Sequence, residues 1–298
     1  MSQIFDALHR SETEREGLDH RKFTTATELL EAAEQNLAQD VPKATPQATE
    51  EDEQLSPFSS ARVLVPSQNK LVFSQDGESL AAEKFRYLGV RLRHIQQKRP
   101  LTCLLITSSI AEEGKSTVAA NLACTLATKQ HQKILVLEGD LRRPTLAQQL
   151  GLNGIPGLSE WLEGETSPTM NVCRLDGLGL YILPAGKPPA DPMALLQSER
   201  LPLLMDHLKS WFDWIVIDSP PLLPLGDTSV WMRLADAILL VTRPGKTVKS
   251  QLQRSLEVLD QPKLLGALVN GSRESASKYH HYYYDGRQTA PATRGRPT

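Results

Sequence analysis

Residues 104–127 read LLITSSIAEEGKSTVAANLACTLA, and no other stretch narrows the possible folds so far. Residues 104–106 are apolar and have the character of a short buried strand. Residues 107–114 are small and polar. From Lys115 onward, Val118, Leu122 and Leu126 recur at helical spacing. Strand, compact loop, Gly-Lys-Ser and helix in this order make a phosphate-binding loop, in which backbone N–H groups and the positive end of the helix face phosphate oxygens. Ser109, Glu113, Gly114, Lys115, Ser116 and Thr117 are therefore candidate nucleotide contacts. Lys115 would reach the β- and γ-phosphates of ATP, and the Ser116 hydroxyl would ligate Mg²⁺. Ser109 stands where the G-x-x-x-x-G-K-[ST] pattern has its first glycine. Context and spacing weigh against the blander reading, a strand–turn–helix that merely contains Gly-Lys.

Two further strands carry acids at their carboxyl ends, where open α/β sheets bind ligands. Residues 134–137 are apolar and deliver Glu138 and Asp140, followed by Arg142 and Arg143. Residues 214–217 are apolar and end in Asp218, with Ser219-Pro220-Pro221 stopping the run. A lone strand ending in Asp is a weak signal, but paired with the upstream loop it takes the form of a Walker B strand whose Asp holds Mg²⁺. Asp140 is the other candidate metal ligand. Residues 180–183, 237–242 and 264–270 also read as strands. Residues 195–211 and 247–259 read as helices, with a Pro-rich loop at 188–193 and a loop and short helix at 154–164. Arg243 and Asn270, just past or at strand tips, are candidate nucleotide contacts; Asn270 reads as an adenine contact or equally well as a turn residue. Alternating strands and helices predict a doubly wound, mostly parallel α/β sheet with helices on both faces, centred on residues 101–271.

Upstream, residues 79–98 set Phe85, Leu88, Leu92 and Ile95 at helical spacing, with Glu83 and Arg86 neighbours on the same helix. Its basic residues Arg91, Arg93 and Lys98 read as a solvated or an interface face. Residues 35–66 are rich in Pro, Ser, Thr, Gln and acids without a hydrophobic period, and read as a disordered linker. Before them, Ile4, Phe5 and Leu8 share one face of a short helix, either a docking helix or a frayed end. The domain reading is thus 1–66 helix and linker, 67–276 nucleotide-binding domain and 277–298 a disordered tail. Four of the six tyrosines, Tyr279, Tyr282, Tyr283 and Tyr284, crowd into that tail, as a docking edge or as a substrate.

A net charge of −2 gives no electrostatic argument for nucleic acid. Cys103, Cys124 and Cys173 are scattered, form no metal spacing, and fit buried positions in a reducing cytosol. No run of 18 apolar residues and no leader-like segment is present, so work at a membrane would need a partner to hold the chain there.

Taken together, SSIAEEGKST (108–117), LVLEGDLRRP (135–144), IVIDSPP (215–221) and YHHYYY (279–284) resemble the bacterial tyrosine autokinases of capsule and exopolysaccharide synthesis, over roughly residues 71–285. That resemblance implies ATP, Mg²⁺ and phosphate transfer to the tail tyrosines of a neighbouring subunit in a homo-oligomer. It implies a cytoplasmic protein recruited to the membrane by a chain-length regulator of the Wzz type. Carried over, Lys115 grips phosphates, Ser116 and Asp218 hold Mg²⁺, Asp140 belongs to the Walker A′ pair, and the catalytic set is Lys115, Glu138, Asp140 and Asp218. Glu138 replaces the first Walker A′ Asp, the base for the tyrosine hydroxyl in such kinases. Of the E-x-x-R-x-x-R oligomerisation motif, Glu83 and Arg86 are present, but Gly89 stands third, so Arg91 or Arg93 would have to substitute. Ile110 and Ala111 occupy the place of the early loop lysine of partitioning ATPases. A catalytically weak nucleotide switch or scaffold, and a positioning-type ATPase, are the alternative readings.

Overall fold

The computed structural model describes residues 58–62, 71, 79–128, 132–152, 154–176, 178–223 and 226–272. The helix expected near the N-terminus, most of the linker and the tyrosine tail lie outside the described residues. In chain order the strands are β1 (Ser59–Arg62), β2 (Cys103–Ser108), β3 (Ile134–Glu138), β4 (Cys173–Asp176), β5 (Leu180–Leu183), β6 (Trp214–Asp218), β7 (Ala237–Thr242) and β8 (Leu264–Val269). The helices are α1 (Leu80–Lys98), α2 (Lys115–Ala127), α3 (Leu146–Gln149), α4 (Leu158–Glu163), α5 (Pro168–Asn171), α6 (Pro192–Leu196), α7 (Arg200–Trp211), α8 (Asp227–Leu234) and α9 (Lys249–Val258).

The strands form one sheet in the order β1-β4-β5-β3-β6-β2-β7-β8. Six strands from β5 to β8 run parallel, and the β1–β4 pair at one edge runs against them. Burial on both faces explains the uninterrupted apolar strands. Along β2, Leu104 and Ile106 enter one core with α1 and α2. Cys103 and Leu105 enter the other, with α4, α7 and α8. The doubly wound expectation holds, as does the apolar stripe of α1: Leu92 is buried and Phe85, Leu88 and Ile95 pack on the same core.

Several local expectations shift. β2 spans Cys103–Ser108 because all six of its residues are buried, which leaves only Ser109–Gly114 for the loop. The stretch 195–211 is two helices. Asp191 accepts hydrogen bonds from the Met193 and Ala194 N–H groups and starts α6 inside the Pro-rich segment, and a new helix begins at Arg200 with Pro202 in its first turn. Within the stretch read as linker, residues 59–62 instead pair with β4, and the preceding Phe58 packs edge-on against Tyr181 and Trp211 with centroids 5.4 and 5.5 Å apart. Those ring contacts come from residues more than a hundred positions away, so local composition does not report them.

Candidate nucleotide site

The crossovers bring three strand tips together. From β2 the chain passes through α2 to β3, skipping the place that β6 fills, so β6 lies between them. Asp218 is in register with Ile106 on one side and Glu138 on the other. The Gly139 N–H donates to the Asp218 carbonyl at 2.7 Å, closing β3 onto β6 beyond the last ladder pair. This is the topological switch point, where such sheets bind ligands.

The loop that crosses it starts α2 at Lys115, as its sequence predicts, with Gly114 at φ 91° before it. Glycine is required there twice over. That φ is left-handed, and a Cβ would meet the Asn270 Nδ2 at 2.1 Å. Glu112 also takes a left-handed φ of 62°, uncommon for a residue with a side chain. The segment after β7 holds it: the Lys246 ammonium pairs with its carboxylate, which pulls the Glu112 carboxyl below its ordinary value, and the Arg243 guanidinium donates to its carbonyl at 3.4 Å. Glu113 is fully buried and turned into the loop. It accepts from the Ile110 N–H at 2.8 Å and from the Thr247 hydroxyl. Asn270 donates to the Glu113 carbonyl at 2.9 Å. Glu113, Arg243 and Asn270 thus brace the loop, and the Asn270 amide is engaged by backbone. Thr247 and Lys246 were not singled out by their sequence; only this contact reveals them.

Around the loop the carboxylates differ sharply. Asp218 is 1% exposed, and its Oδ1 has no hydrogen-bond partner among the described residues. Burial pushes its carboxyl up to about 7, against the pull of the Lys115 ammonium and a Ser116 hydrogen bond. Asp140 lies 3.8 Å from the Lys115 Nζ and accepts from the Arg143 N–H at 3.0 Å; burial raises it too, with Lys115 opposing. Glu138 is turned the other way, its carboxylate accepting from the Leu146 and Ala185 N–H groups. Burial raises it, and those backbone bonds oppose the rise. Ser109 is buried, and its hydroxyl has no hydrogen-bond partner among the described residues.

Buried polar atoms without partners are rare and ask for a ligand. Of the eight such side-chain atoms among the described residues, two lie at this site: the Asp218 Oδ1 beside Lys115 and Ser116, and the Ser109 hydroxyl at the start of the loop. This donor set fits Mg²⁺ and phosphate. No cluster of three His, Cys, Asp or Glu residues able to hold a metal occurs among the described residues, and Mg²⁺ needs none, being commonly held by one or two carboxylates, waters and substrate phosphates.

The loop carrying Asp140 is held from α8. Arg142 forks onto buried Asp227, Nε to Oδ2 at 2.6 Å and Nη2 to Oδ1 at 3.0 Å, and Asp227 raises the guanidinium further. The Trp231 indole donates to the Gly139 carbonyl at 3.1 Å. On α1, Glu83 and Arg86 are exposed. Gly89 is buried where α1 approaches α2 and a Cβ would sit 3.2 Å from Thr125 Cγ2. Arg93 turns inward to the Thr125 and Leu126 carbonyls at the end of α2, so of the two candidate substitutes only Arg91 remains exposed. Tyr279, Tyr282, Tyr283 and Tyr284 lie outside the described residues.

No family model matches the chain. A curated relative, the tyrosine-protein kinase YwqD of Bacillus subtilis strain 168, is 32% identical over 218 residues, covering 72% of this chain and 92% of that one. Among solved structures, the kinase domain of Escherichia coli tyrosine kinase ETK superposes with a TM-score of 0.66 at 26% identity, covering 78% of this chain and 89% of that chain. The septum site-determining protein MinD of Pyrococcus horikoshii OT3, complexed with Mg-ADP, does so with a TM-score of 0.50 at 25% identity, covering 60% and 76%. The phosphate loop, the acids at two neighbouring strand tips and a kinase relative matched over nearly its whole length agree, and the chain belongs to the bacterial tyrosine-protein kinases.

Proposed function

We propose that this kinase uses ATP and Mg²⁺ to phosphorylate its own tail at Tyr279, Tyr282, Tyr283 and Tyr284. The observation that carries the nucleotide half of this reading is the bare Asp218 oxygen beside Ser116 and Lys115, at the N-terminus of α2. Phosphoryl transfer calls for positioning and charge neutralisation more than for covalent chemistry. The Lys115 ammonium and the α2 N-terminus meet the phosphate oxygens. Ser116, Asp218 and Asp140 are the residues that would hold Mg²⁺, which would supply neutralisation of phosphate charge. The tyrosine oxygen bonds to the γ-phosphorus as the bond to the β,γ-bridging oxygen breaks. ADP leaves with that electron pair, and the phenol proton passes to a carboxylate of the site.

The crowding of four of the six tyrosines into residues 279–284 supports the acceptor half. Each phosphotyrosine adds about −1.5 to −2 charges. A phosphorylated tail is repelled by the acidic site and by its own neighbours, which turns modification into release. Glu83 and Arg86, exposed on α1, are the surface through which copies associate, so that one subunit's tail meets another's site. No helix among the described residues is long and apolar enough to cross a membrane. In this reading the kinase works in the cytoplasm, held at the membrane by a chain-length regulator of capsule or exopolysaccharide export, without nucleic acid. Incubation with ATP·Mg²⁺ followed by mass-spectrometric mapping tests it. Phosphate on residues 279–284 in wild type and none in Lys115→Met is expected. An unmodified tail with phosphate released to water would point to a positioning-type ATPase instead.

A further inference from the structure

Of the three acids at the strand tips, Glu138 alone has its side chain fully committed. Its Oε1 accepts from the N–H groups of Leu146, at 2.5 Å, and Ala147, at 3.4 Å, the first residues of α3. Its Oε2 accepts from the Ala185 N–H at 3.1 Å, beyond β5. The residue is 1% exposed. A carboxylate gripped by three backbone donors from two segments is not aimed at an incoming phenol. Immediately before Leu146, Thr145 sets its hydroxyl 3.4 Å from the hydroxyl of Ser116, a Mg²⁺ ligand in the reading above. α3 has no side-chain cap of its own at Thr145, so the Glu138 carboxylate supplies the acceptor that its first N–H groups lack.

We infer that Glu138 is a positioning residue: it fixes the start of α3, and through Thr145 the Ser116 hydroxyl, and does not itself take the tyrosine proton. The inference rests on the kinase reading of the site. The substitution of Glu for Asp at 138 then has a physical reason. An Asp carboxylate would stop one C–C bond short, about 1.5 Å, too far to reach the Leu146, Ala147 and Ala185 donors within hydrogen-bond distance.

Glu138→Asp, Glu138→Gln and Lys115→Met in the full chain test this role. Three readouts are needed: kcat and KM for ATP·Mg²⁺ in tail phosphorylation, the Kd for ATP·Mg²⁺, and hydrogen exchange at the amides of residues 146, 147 and 185. A positioning role predicts that Glu138→Asp speeds exchange at those amides and raises KM and Kd about tenfold. Glu138→Gln keeps an oxygen for α3, so its kcat should fall less than tenfold. A kcat loss of 100-fold or more in Glu138→Gln with exchange unchanged overturns the inference. So does a Glu138→Asp protein with wild-type exchange and KM. If wild type labels its tail no better than Lys115→Met, the kinase reading fails instead, and exchange with Kd decides the positioning role alone.

Discussion

Replacing Asp218 by asparagine should stabilise the nucleotide-free protein while removing its hold on Mg²⁺. Burial lifts the Asp218 carboxyl from 3.8 to about 7. About three units, at about 1.4 kcal/mol each, put the burden of the charged form on the order of 4 kcal/mol above pH 7. An asparagine amide in the same place leaves a polar group short of a partner, at a cost of about 1–3 kcal/mol. The net gain is then ~2 kcal/mol, near 5 °C in Tm for a domain of this size. Its pH dependence has a definite sign. Between about pH 4 and 7 the folded protein retains a proton that the unfolded chain has released, so wild-type stability falls as pH rises across that window. The advantage of asparagine is therefore greatest at pH 8 and fades toward pH 4. Thermal melts of both proteins without nucleotide or Mg²⁺, at pH 5 and pH 8, measure it. The reasoning is refuted if Asp218→Asn melts no higher than wild type at pH 8, or if the gap is the same at both pH values.

Other substitutions probe the framework. Gly89→Arg restores the third arginine of the α1 motif on paper, but its Cβ would press on Thr125 at 3.2 Å. Forcing α1 off α2 should cost about 1–3 kcal/mol in urea melts, without a gain in oligomer size by light scattering. Arg142→Ala leaves Asp227, 1% exposed, without its fork. Loss of a buried partner costs about 3–5 kcal/mol; the Arg142 side chain is 38% exposed, so water blunts this to ~2 kcal/mol, readable in the same melts. Thr247→Val strips the hydroxyl from buried Glu113, which should cost about 1–3 kcal/mol and weaken ATP binding measured by fluorescence competition.

Position in the chain decided what could be read from sequence. The start of α2 at Lys115 was legible because Gly-Lys-Ser, the polar loop and the helical period are all local. β3 and β6 were legible because parallel strands buried on both faces are continuous apolar runs. β1 was not, being four residues held by Phe58 against Tyr181 and Trp211. β4 escaped for a related reason: Cys173–Asp176 is short and mixed, and becomes a strand by pairing antiparallel with β5. At the site, sequence placed Glu138, Asp140 and Asp218 at strand tips, and the tips do converge. Which way each carboxylate points depends on partners far along the chain. Ala185 lies 47 residues from Glu138, and Thr247 lies 134 from Glu113. No motif encodes such contacts.

Titration calorimetry of ATP into the protein, with and without Mg²⁺, reaches the phosphate loop itself. The structure predicts saturable heat for wild type in Mg²⁺ and none for Lys115→Met. In Asp218→Asn the affinity should be the same in Mg²⁺ and in a chelator. Lys115→Met binding ATP·Mg²⁺ as tightly as wild type, or an Asp218→Asn protein that keeps the full Mg²⁺ dependence, would place the nucleotide somewhere other than this loop.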